Sequence, residues 1–196
     1  CVSKVIRNLH LIPGVSGCGK TTVAKYMARK LEYADMVVGY TTRPARANEE
    51  DGVDYHFRNI THLHSKLGEL GWRYSQIGEH YYYANDTETL PNDTITTKVL
   101  PVSFSVLDEV IEDYSYAMTN DCKISVAPII IGDELRGSWL SITQPLRPSR
   151  DLRAELTLQD EILSSRKFDG LFYPTWSSRN DAENYLRMYN IIRRQF

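Results

Sequence analysis

Residues 14–21 are Gly-Val-Ser-Gly-Cys-Gly-Lys-Thr, and they fit the pattern G-x-x-x-x-G-K-T, which requires a tight loop between a strand and a helix. Glycine tolerates backbone conformations that side chains disfavour, so successive N–H groups can converge on one anion. A helix that begins near Gly19 adds the positive end of its dipole. The sequence therefore predicts a phosphate-binding loop formed by Gly14, Ser16, Gly17, Cys18, Gly19, Lys20, Thr21 and Thr22.

The sequence on both sides of this loop has the required character. An apolar run predicts a strand over residues 4–11, and apolar residues at helical spacing predict a helix over residues 20–32. In such a loop the lysine reaches the outer phosphates of a nucleoside triphosphate, and the hydroxyl that follows binds Mg²⁺. We therefore expect Lys20 to contact those phosphates and Thr21 to be a ligand of Mg²⁺.

Composition and charge exclude several classes of function. With 196 residues and a formal net charge of −2, the chain has the size of one domain and no broad basic surface for nucleic acid or an anionic membrane. No apolar run approaches the roughly 20 residues of a membrane span, and the three cysteines suggest no disulfide framework. We expect a cytoplasmic monomer or homodimer that binds neither nucleic acid nor membranes. Because the first residue is Cys1, the sequence leaves open whether its N-terminus is complete.

Predicted strands and helices alternate along the rest of the chain. Further strands are predicted over residues 36–40, 55–57, 72–77, 81–83, 94–104, 123–131 and 170–173. Helices are predicted over residues 60–70, 106–118, 152–165 and 181–194, and from Asp133 onward. Residues 78–80 are expected to form a hairpin turn, and Pro101 is expected to break its strand. The alternation predicts an α/β fold, a doubly wound parallel sheet with helices on both faces and the nucleotide site at the carboxyl ends of its strands.

Residues 41–57 form a second informative stretch, polar and rich in turn residues. Arg43 and Arg46, on a loop restricted by Pro44, can present two planar guanidinium groups to one phosphate, and Tyr55 can add a hydroxyl donor. The alternative is that both arginines pair at the surface, where ion pairs contribute little, with the neighbouring acids Glu49, Glu50 and Asp51.

Taken together, the order of these motifs resembles that of the guanylate kinase family. The P-loop is followed by T-T-R-x-x-R at residues 41–46 and by G-V-D-Y-x-F at residues 52–57, with weaker similarity at residues 78–82 and 168–169. The resemblance implies a P-loop kinase fold and transfer of the γ-phosphoryl group of ATP, with Mg²⁺, to a nucleoside monophosphate, which in the family is GMP or dGMP. It also implies that the acceptor phosphate is held by Arg43, Arg46, Tyr55 and Tyr82.

The resemblance also implies a division of a single domain spanning residues 1–196. We expect a core at residues 1–38 and 94–196, a small mixed β lobe for the monophosphate at about residues 39–93, and a helical lid at about residues 136–155.

Three arginines lie where the family places its lid arginines, namely Arg147, Arg150 and Arg153. We expect Arg150 to act in catalysis beside Lys20 and Arg43. An exposed basic loop is the alternative for these lid arginines, because the family aligns one arginine near Ala154.

Four positions depart from the family's pattern. The family has an acidic pair after its fourth strand, where this chain has Pro101 and Ser103. The family also has a serine and a glutamate that read guanine, where this chain has Gly39 and Trp72. We therefore expect Mg²⁺ to be bound mainly by Thr21, phosphate oxygens and water. The sequence leaves open which base the acceptor carries. Two other functions also stay open: an interaction module of this family that binds a phosphorylated or acidic peptide, and another P-loop kinase of small molecules.

Overall fold

A computed structural model describes residues 6–176 and 178–196. The first of its two sheets has four parallel strands in the order β2-β7-β1-β8, with helices packed on both faces. Lys4 and Val5, at the start of the first predicted strand, lie outside the described residues. The strands of this sheet are β1 Arg7–Pro13, β2 Ala34–Met36, β7 Thr97–Val102 and β8 Cys122–Val126. Its helices are α1 Lys20–Lys30, α4 Leu107–Ala117, α5 Asp133–Thr143, α6 Leu152–Ser165 and α7 Ser178–Ile192.

The second sheet is mixed and has the strand order β4-β3-β6-β5. The predicted hairpin between β5 and β6 is present, and Gly78 in its turn has a φ of +61°, which glycine adopts without strain. The strands are β3 Tyr40–Thr41, β4 His56–Phe57, β5 Trp72–Ile77 and β6 His80–Asn85. Two short helices accompany them, α2 Ile60–Lys66 and α3 Asp86–Thr89. The predicted α/β fold with a separate mixed sheet is confirmed.

The prediction of one strand over residues 36–40 is wrong, because the chain changes sheet inside this run. Met36 pairs with Val99 in the parallel sheet, whereas Tyr40 pairs with Tyr83 in the mixed sheet. At the crossing, a Cβ on Gly39 would lie 3.2 Å from the carbonyl oxygen of Tyr83, so the absence of a side chain permits a close approach. Apolar character predicts burial but does not tell which strand a residue pairs with.

The prediction that Pro101 breaks its strand is also wrong. Pro101 lies inside β7, opposite Ile12 of β1. The hydrogen bond from the Val37 N–H to the Val99 carbonyl shows that Val99, and by the alternation of a strand also Pro101, directs its backbone toward β2. β2 ends at Met36, so no described strand pairs with β7 at Pro101 on that side. The missing N–H of proline therefore costs the sheet no hydrogen bond.

Two other predicted strands are shorter than expected. The run at residues 123–131 leaves the sheet after Val126, and Ile129 then forms single bridges to Gly14 and Phe172. The predicted strand at residues 170–173 consists of this one bridge at Phe172. No described helix is long and apolar enough to cross a membrane.

A network of buried polar side chains connects β1, the central strand of the parallel sheet, to β8 and α7. His10 of β1 is fully buried, with Nδ1 2.7 Å from the Ser125 hydroxyl and Nε2 3.0 Å from the Tyr185 hydroxyl. The Tyr185 hydroxyl donates to the Ala127 carbonyl at 2.5 Å, so it accepts from Nε2–H and leaves Nδ1 as an acceptor. Burial lowers the pKa of His10 to about 3, so this network holds a neutral imidazole.

His10 predicts a loss of stability in acid. In the unfolded chain its pKa returns to about 6.5, so between about pH 6.5 and pH 3 the unfolded state binds a proton that the folded state does not, and the free energy of unfolding falls as the pH falls. Between about pH 7 and pH 5 we expect the wild type to lose about 2 kcal/mol more than His10→Gln. Urea unfolding of both proteins at the two pH values measures this difference, and equal losses would contradict the assignment.

Candidate nucleotide site

The predicted phosphate-binding loop joins β1 to α1 directly. Gly17 and Gly19 have φ angles of +74° and +100°, a region of backbone space that side chains disfavour. A Cβ on Gly14 would lie 2.5 Å from the Cys18 sulfur, so the loop closes tightly over this buried thiol. Burial raises the pKa of Cys18, so it stays a neutral packing residue at neutral pH.

Lys20 lies across the loop that precedes it. Its ammonium group donates to the carbonyl oxygens of Gly14 at 2.8 Å and Val15 at 2.7 Å. The side chain is only partly buried and lines a cavity, together with Thr21. The cation and the hydroxyl that the motif requires are therefore on the same side of the loop.

Two helices from the C-terminal half hold Ser16 of the loop. The carboxylate of Glu155 on α6 accepts from the Ser16 N–H at 2.6 Å and from the Ser16 hydroxyl at 2.8 Å. The indole N–H of Trp139 on α5 donates to the Ser16 carbonyl at 3.2 Å. The N–H groups of this loop are predicted to bind phosphate, but the Ser16 N–H already donates to the Glu155 carboxylate. Sequence reasoning missed both residues, because neither has a local signature.

On the opposite side, Arg43 and Arg46 share one carboxylate. Arg43 donates to both oxygens of Glu49, at 2.7 and 3.0 Å, and Arg46 donates to the same carboxylate from its backbone N–H and its guanidinium group. Burial works against an ionised Glu49, but the hydrogen bonds from the two arginines outweigh it and hold the Glu49 pKa below its ordinary value. The alternative pairing with neighbouring acids therefore occurs with Glu49, although Arg43 is 8% exposed and not at the surface.

Two tyrosines complete this second anion-binding group. The Arg43 guanidinium lies 5.6 Å from the centre of the Tyr55 ring, and the Tyr82 ring lies 5.7 Å from that of Tyr55. Burial raises the pKa of Tyr55 to about 12, so its hydroxyl stays protonated and can donate to an anion. The group of Arg43, Arg46, Tyr55 and Tyr82 carries net positive charge with Glu49 included.

One cavity of about 520 Å³ joins the loop to this group. Among the described residues, Cys18 does not line it, since its thiol is buried beneath the loop. The predicted site residues that do line the cavity are Gly14, Ser16, Gly17, Gly19, Lys20, Thr21, Thr22, Arg43, Arg46, Tyr55, Tyr82 and Arg150.

The predicted lid arginines divide into two groups. Arg147 and Arg150 line the cavity, whereas Arg153 is exposed on α6 and does not. Burial, assisted by the nearby charges of Arg46 and Arg43, lowers the pKa of Arg147. Positive charge therefore converges on the cavity from two separate parts of the chain.

The end of β7 offers the cavity no carboxylate. Leu100, Pro101, Val102 and Ser103 line it there instead. Within residues 6–176 and 178–196 no group of three His, Cys, Asp or Glu side chains could hold a metal. The Thr21 hydroxyl fits an Mg²⁺ ion that arrives with a nucleotide, because Mg²⁺ keeps several waters and takes few protein ligands.

Comparison with known proteins shows what the N-terminal part of the chain resembles. The family model for guanylate kinase matches residues 6–90, which are less than half of the chain. That segment is similar to the guanylate kinase family. The match confirms the resemblance predicted from the motifs between Gly14 and Tyr82.

Curated relatives match the same part of the chain. A guanylate kinase from Chlorobaculum tepidum is 40% identical over 80 residues, which cover 41% of this chain and 39% of the relative. A guanylate kinase from Alkalilimnicola ehrlichii is 45% identical over 75 residues, which cover 37% of each protein. The matched segment thus spans about two fifths of the length of these relatives.

A solved structure extends the likeness to the rest of the chain, at the level of the fold. The crystal structure of guanylate kinase from Anaplasma phagocytophilum has a TM-score of 0.65 and covers 98% of this chain and 87% of its own. At 15% sequence identity this likeness concerns the fold alone.

The contact between Glu155 and Ser16 predicts how charge on α6 affects anion binding. A carboxylate beside the loop repels an incoming phosphate, so we expect Glu155→Gln to bind Mg·ATP about tenfold more tightly. The effect is not larger because Glu155 is partly exposed and solvent screens its charge. Isothermal calorimetry measures the Kd. Glu161→Gln, which removes the same charge from an exposed position of α6, is the control and should bind like the wild type. Unchanged or weaker binding by Glu155→Gln would contradict this account.

Proposed function

We propose that this protein is a nucleoside monophosphate kinase, which transfers the γ-phosphoryl group of Mg·ATP to GMP, dGMP or a related monophosphate. One observation carries the proposal: the phosphate-binding loop and the group of Arg43, Arg46, Tyr55 and Tyr82 line the same cavity. An enzyme that only hydrolysed ATP would have no use for a second anion-binding group in the same cavity.

The chemistry of phosphoryl transfer matches these two groups. The reaction asks a protein mainly to align donor and acceptor and to place positive charge around the moving phosphoryl group. In our proposal the loop backbone and Lys20 hold the triphosphate. Arg43 and Arg46 then hold the acceptor phosphate, with the Tyr55 and Tyr82 hydroxyls as further donors.

In this proposal Arg147 and Arg150 lie between the triphosphate and the acceptor phosphate. Both line the cavity, and both belong to the segment at about residues 136–155 that we propose as a lid. A lid that closes over both nucleotides excludes water, which would otherwise accept the phosphoryl group. Arg150 then stabilises charge on the transferred group, while the mixed sheet forms the monophosphate-binding lobe at about residues 39–93.

Magnesium supplies charge neutralisation at the phosphates when it is bound with ATP. Thr21 is the residue that would hold it, and the remaining ligands would be phosphate oxygens and water. The absence of a carboxylate at Pro101 and Ser103 leaves the ion without a strand-end acid.

The test is ADP formation from Mg·ATP with each nucleoside monophosphate in turn. We expect one purine monophosphate to stimulate it, and Lys20→Ala and Arg43→Ala each to lower kcat/KM at least about 100-fold, since each removes a charged donor at the transferred or the acceptor phosphate. Lys30→Ala, at the exposed end of the same helix as Lys20, and Arg187→Ala, which is exposed on α7, are the matched controls and should keep full activity.

The proposal fails if no monophosphate raises ADP formation above the rate without an acceptor. Two measurements then separate the alternatives. Binding of a phosphopeptide that Arg43→Ala abolishes would indicate an interaction module of this family. Binding of ATP without either partner would indicate a P-loop kinase with another small-molecule acceptor.

A further inference from the structure

Glu155 of α6 is hydrogen-bonded to the glycine loop at a donor that is predicted to bind phosphate. We propose that Glu155 is a specificity-determining residue for the phosphoryl donor, because its carboxylate occupies the place of the terminal phosphate of a nucleoside triphosphate. A triphosphate then has to displace the carboxylate, whereas a diphosphate binds with the carboxylate in place. The inference rests on the proposed function, since it assumes that the loop holds the phosphates of the donor.

The side chain of Lys20 marks the outer end of the loop. In loops of this type the backbone N–H groups cradle the α- and β-phosphates, and the lysine reaches the β- and γ-phosphates. The Lys20 ammonium group lies on the carbonyl oxygens of Gly14 and Val15, at 2.8 and 2.7 Å. Ser16 is the next residue along the chain, so its N–H and its hydroxyl lie at the end of the loop that a γ-phosphate approaches. The carboxylate of Glu155 is bound at this end.

The Glu155 carboxylate has the partners that a phosphate group would need. Its two oxygens accept from the Ser16 N–H at 2.6 Å and from the Ser16 hydroxyl at 2.8 Å. The Arg150 guanidinium lies 3.9 Å from the second of these oxygens, which is an ion pair but too long for a hydrogen bond. Backbone N–H groups, hydroxyls and guanidinium groups are also the donors that hold phosphate oxygens in proteins. Two anions cannot share these donors, so the carboxylate and a γ-phosphate exclude each other.

Helix α6 is anchored, but the Glu155 side chain can turn away from the loop. Leu152 and Leu156, three residues before Glu155 and one residue after it, are buried at 0% and 6% exposure and hold the helix on the core. The Asp151 carboxylate caps the helix by accepting from the Ala154 N–H at 3.0 Å. The Glu155 side chain is 18% exposed, so a change of its own torsions takes the carboxylate to solvent. Displacement therefore needs no movement of the helix.

Displacement of the carboxylate changes the partner of Arg150. Arg150 lines the cavity, and its ion-pair partner in the described part of the chain is Glu155. When a γ-phosphate takes the place of the carboxylate, Arg150 meets a phosphate in the same position and does not have to travel to it. The arginine that we propose for catalysis is thus kept near its working position before the donor binds, as preorganised charge.

The contact distinguishes the two nucleotides of the reaction. It is compatible with bound ADP and incompatible with bound ATP, so it weakens the binding of ATP relative to ADP by the free energy of the contact. A thermodynamic cycle requires the same factor in the equilibrium between enzyme-bound ATP and enzyme-bound ADP. Once the γ-phosphoryl group has gone to the acceptor, the carboxylate returns to Ser16. Glu155 thus favours the products while both are still bound.

The decisive experiment compares Mg·ATP with Mg·ADP, which differ only in the terminal phosphate. Isothermal calorimetry without a monophosphate gives the Kd of each nucleotide, so the measurement requires no phosphoryl transfer. We expect Glu155→Gln, which keeps the shape of the side chain, to bind ATP about tenfold more tightly and ADP within about twofold of the wild type. Glu161→Gln, which removes a charge from an exposed position of the same helix, is the control and should keep the wild-type ratio of the two Kd values.

A second variant separates occupation of the site from the charge of the side chain. Glu155→Asp keeps the charge, but its side chain is one carbon shorter, so its carboxylate retracts from the Ser16 N–H and hydroxyl. Because the carboxylate competes by occupying these donors, we expect this variant also to gain affinity for ATP relative to ADP, by about threefold. A wild-type ratio for Glu155→Asp would indicate an effect of charge at a distance and would overturn the proposed competition.

The possible outcomes separate this inference from the proposed function. If Glu155→Gln leaves both affinities unchanged, or changes those for ATP and ADP by the same factor, Glu155 only supports the loop and the inference is overturned, whether or not a monophosphate is phosphorylated. If the ratio shifts as expected but no monophosphate stimulates ADP formation, the inference stands and the proposed function fails. A protein that binds neither nucleotide overturns both.

Discussion

The pairing of β1 between two parallel neighbours determines where the site can lie. β7 and β8 flank it, and its residues from Asn8 to Pro13 are buried. Parallel strands end at the same edge of a sheet, so the chain leaves β1 beside the ends of both neighbours. The Gly14 N–H donates to the Val102 carbonyl, and Gly14 forms a bridge with Ile129. The glycine loop is therefore held at the edge where the cavity opens.

Charge is distributed unevenly in this protein. The whole chain has a formal net charge of −2, yet Arg43, Arg46, Arg147 and Arg150 converge on one cavity with Lys20. A buried arginine is tolerated only when it is paired, and Glu49 pairs with the buried Arg43 and with the partly buried Arg46. Because one carboxylate pairs with two guanidinium groups, the cluster keeps a net positive charge. Under the proposed function, this charge is in place before a phosphate binds and needs little rearrangement.

The two sheets contribute different surfaces to the cavity. The parallel sheet and the start of α4 give a wall of apolar side chains, and Pro101 is one of them. The mixed sheet gives arginines and tyrosines, held in place by Glu49 and Asp86. Most of the arginines and tyrosines of the cavity thus come from the mixed sheet and the loop beside it, while the glycine loop belongs to the parallel sheet.

The sequence by itself determined the features that depend on near neighbours. The glycine loop, the hairpin at Gly78 and the helices follow from spacing within a few residues, and the structure contains them. Arg43, Arg46 and Tyr55 were identified from one short stretch with the help of the family resemblance, and they lie together.

Only the tertiary structure decided which distant residues meet. Ser16 and Glu155 are 139 residues apart, and Arg73 and Asp113 lie on different elements, so no local pattern links either pair. The division of residues 36–40 between two sheets and the place of Pro101 inside β7 depend on which strand lies alongside. Residue type and periodicity report how deeply a residue is buried. Which partner it meets is set by the packing of the whole chain.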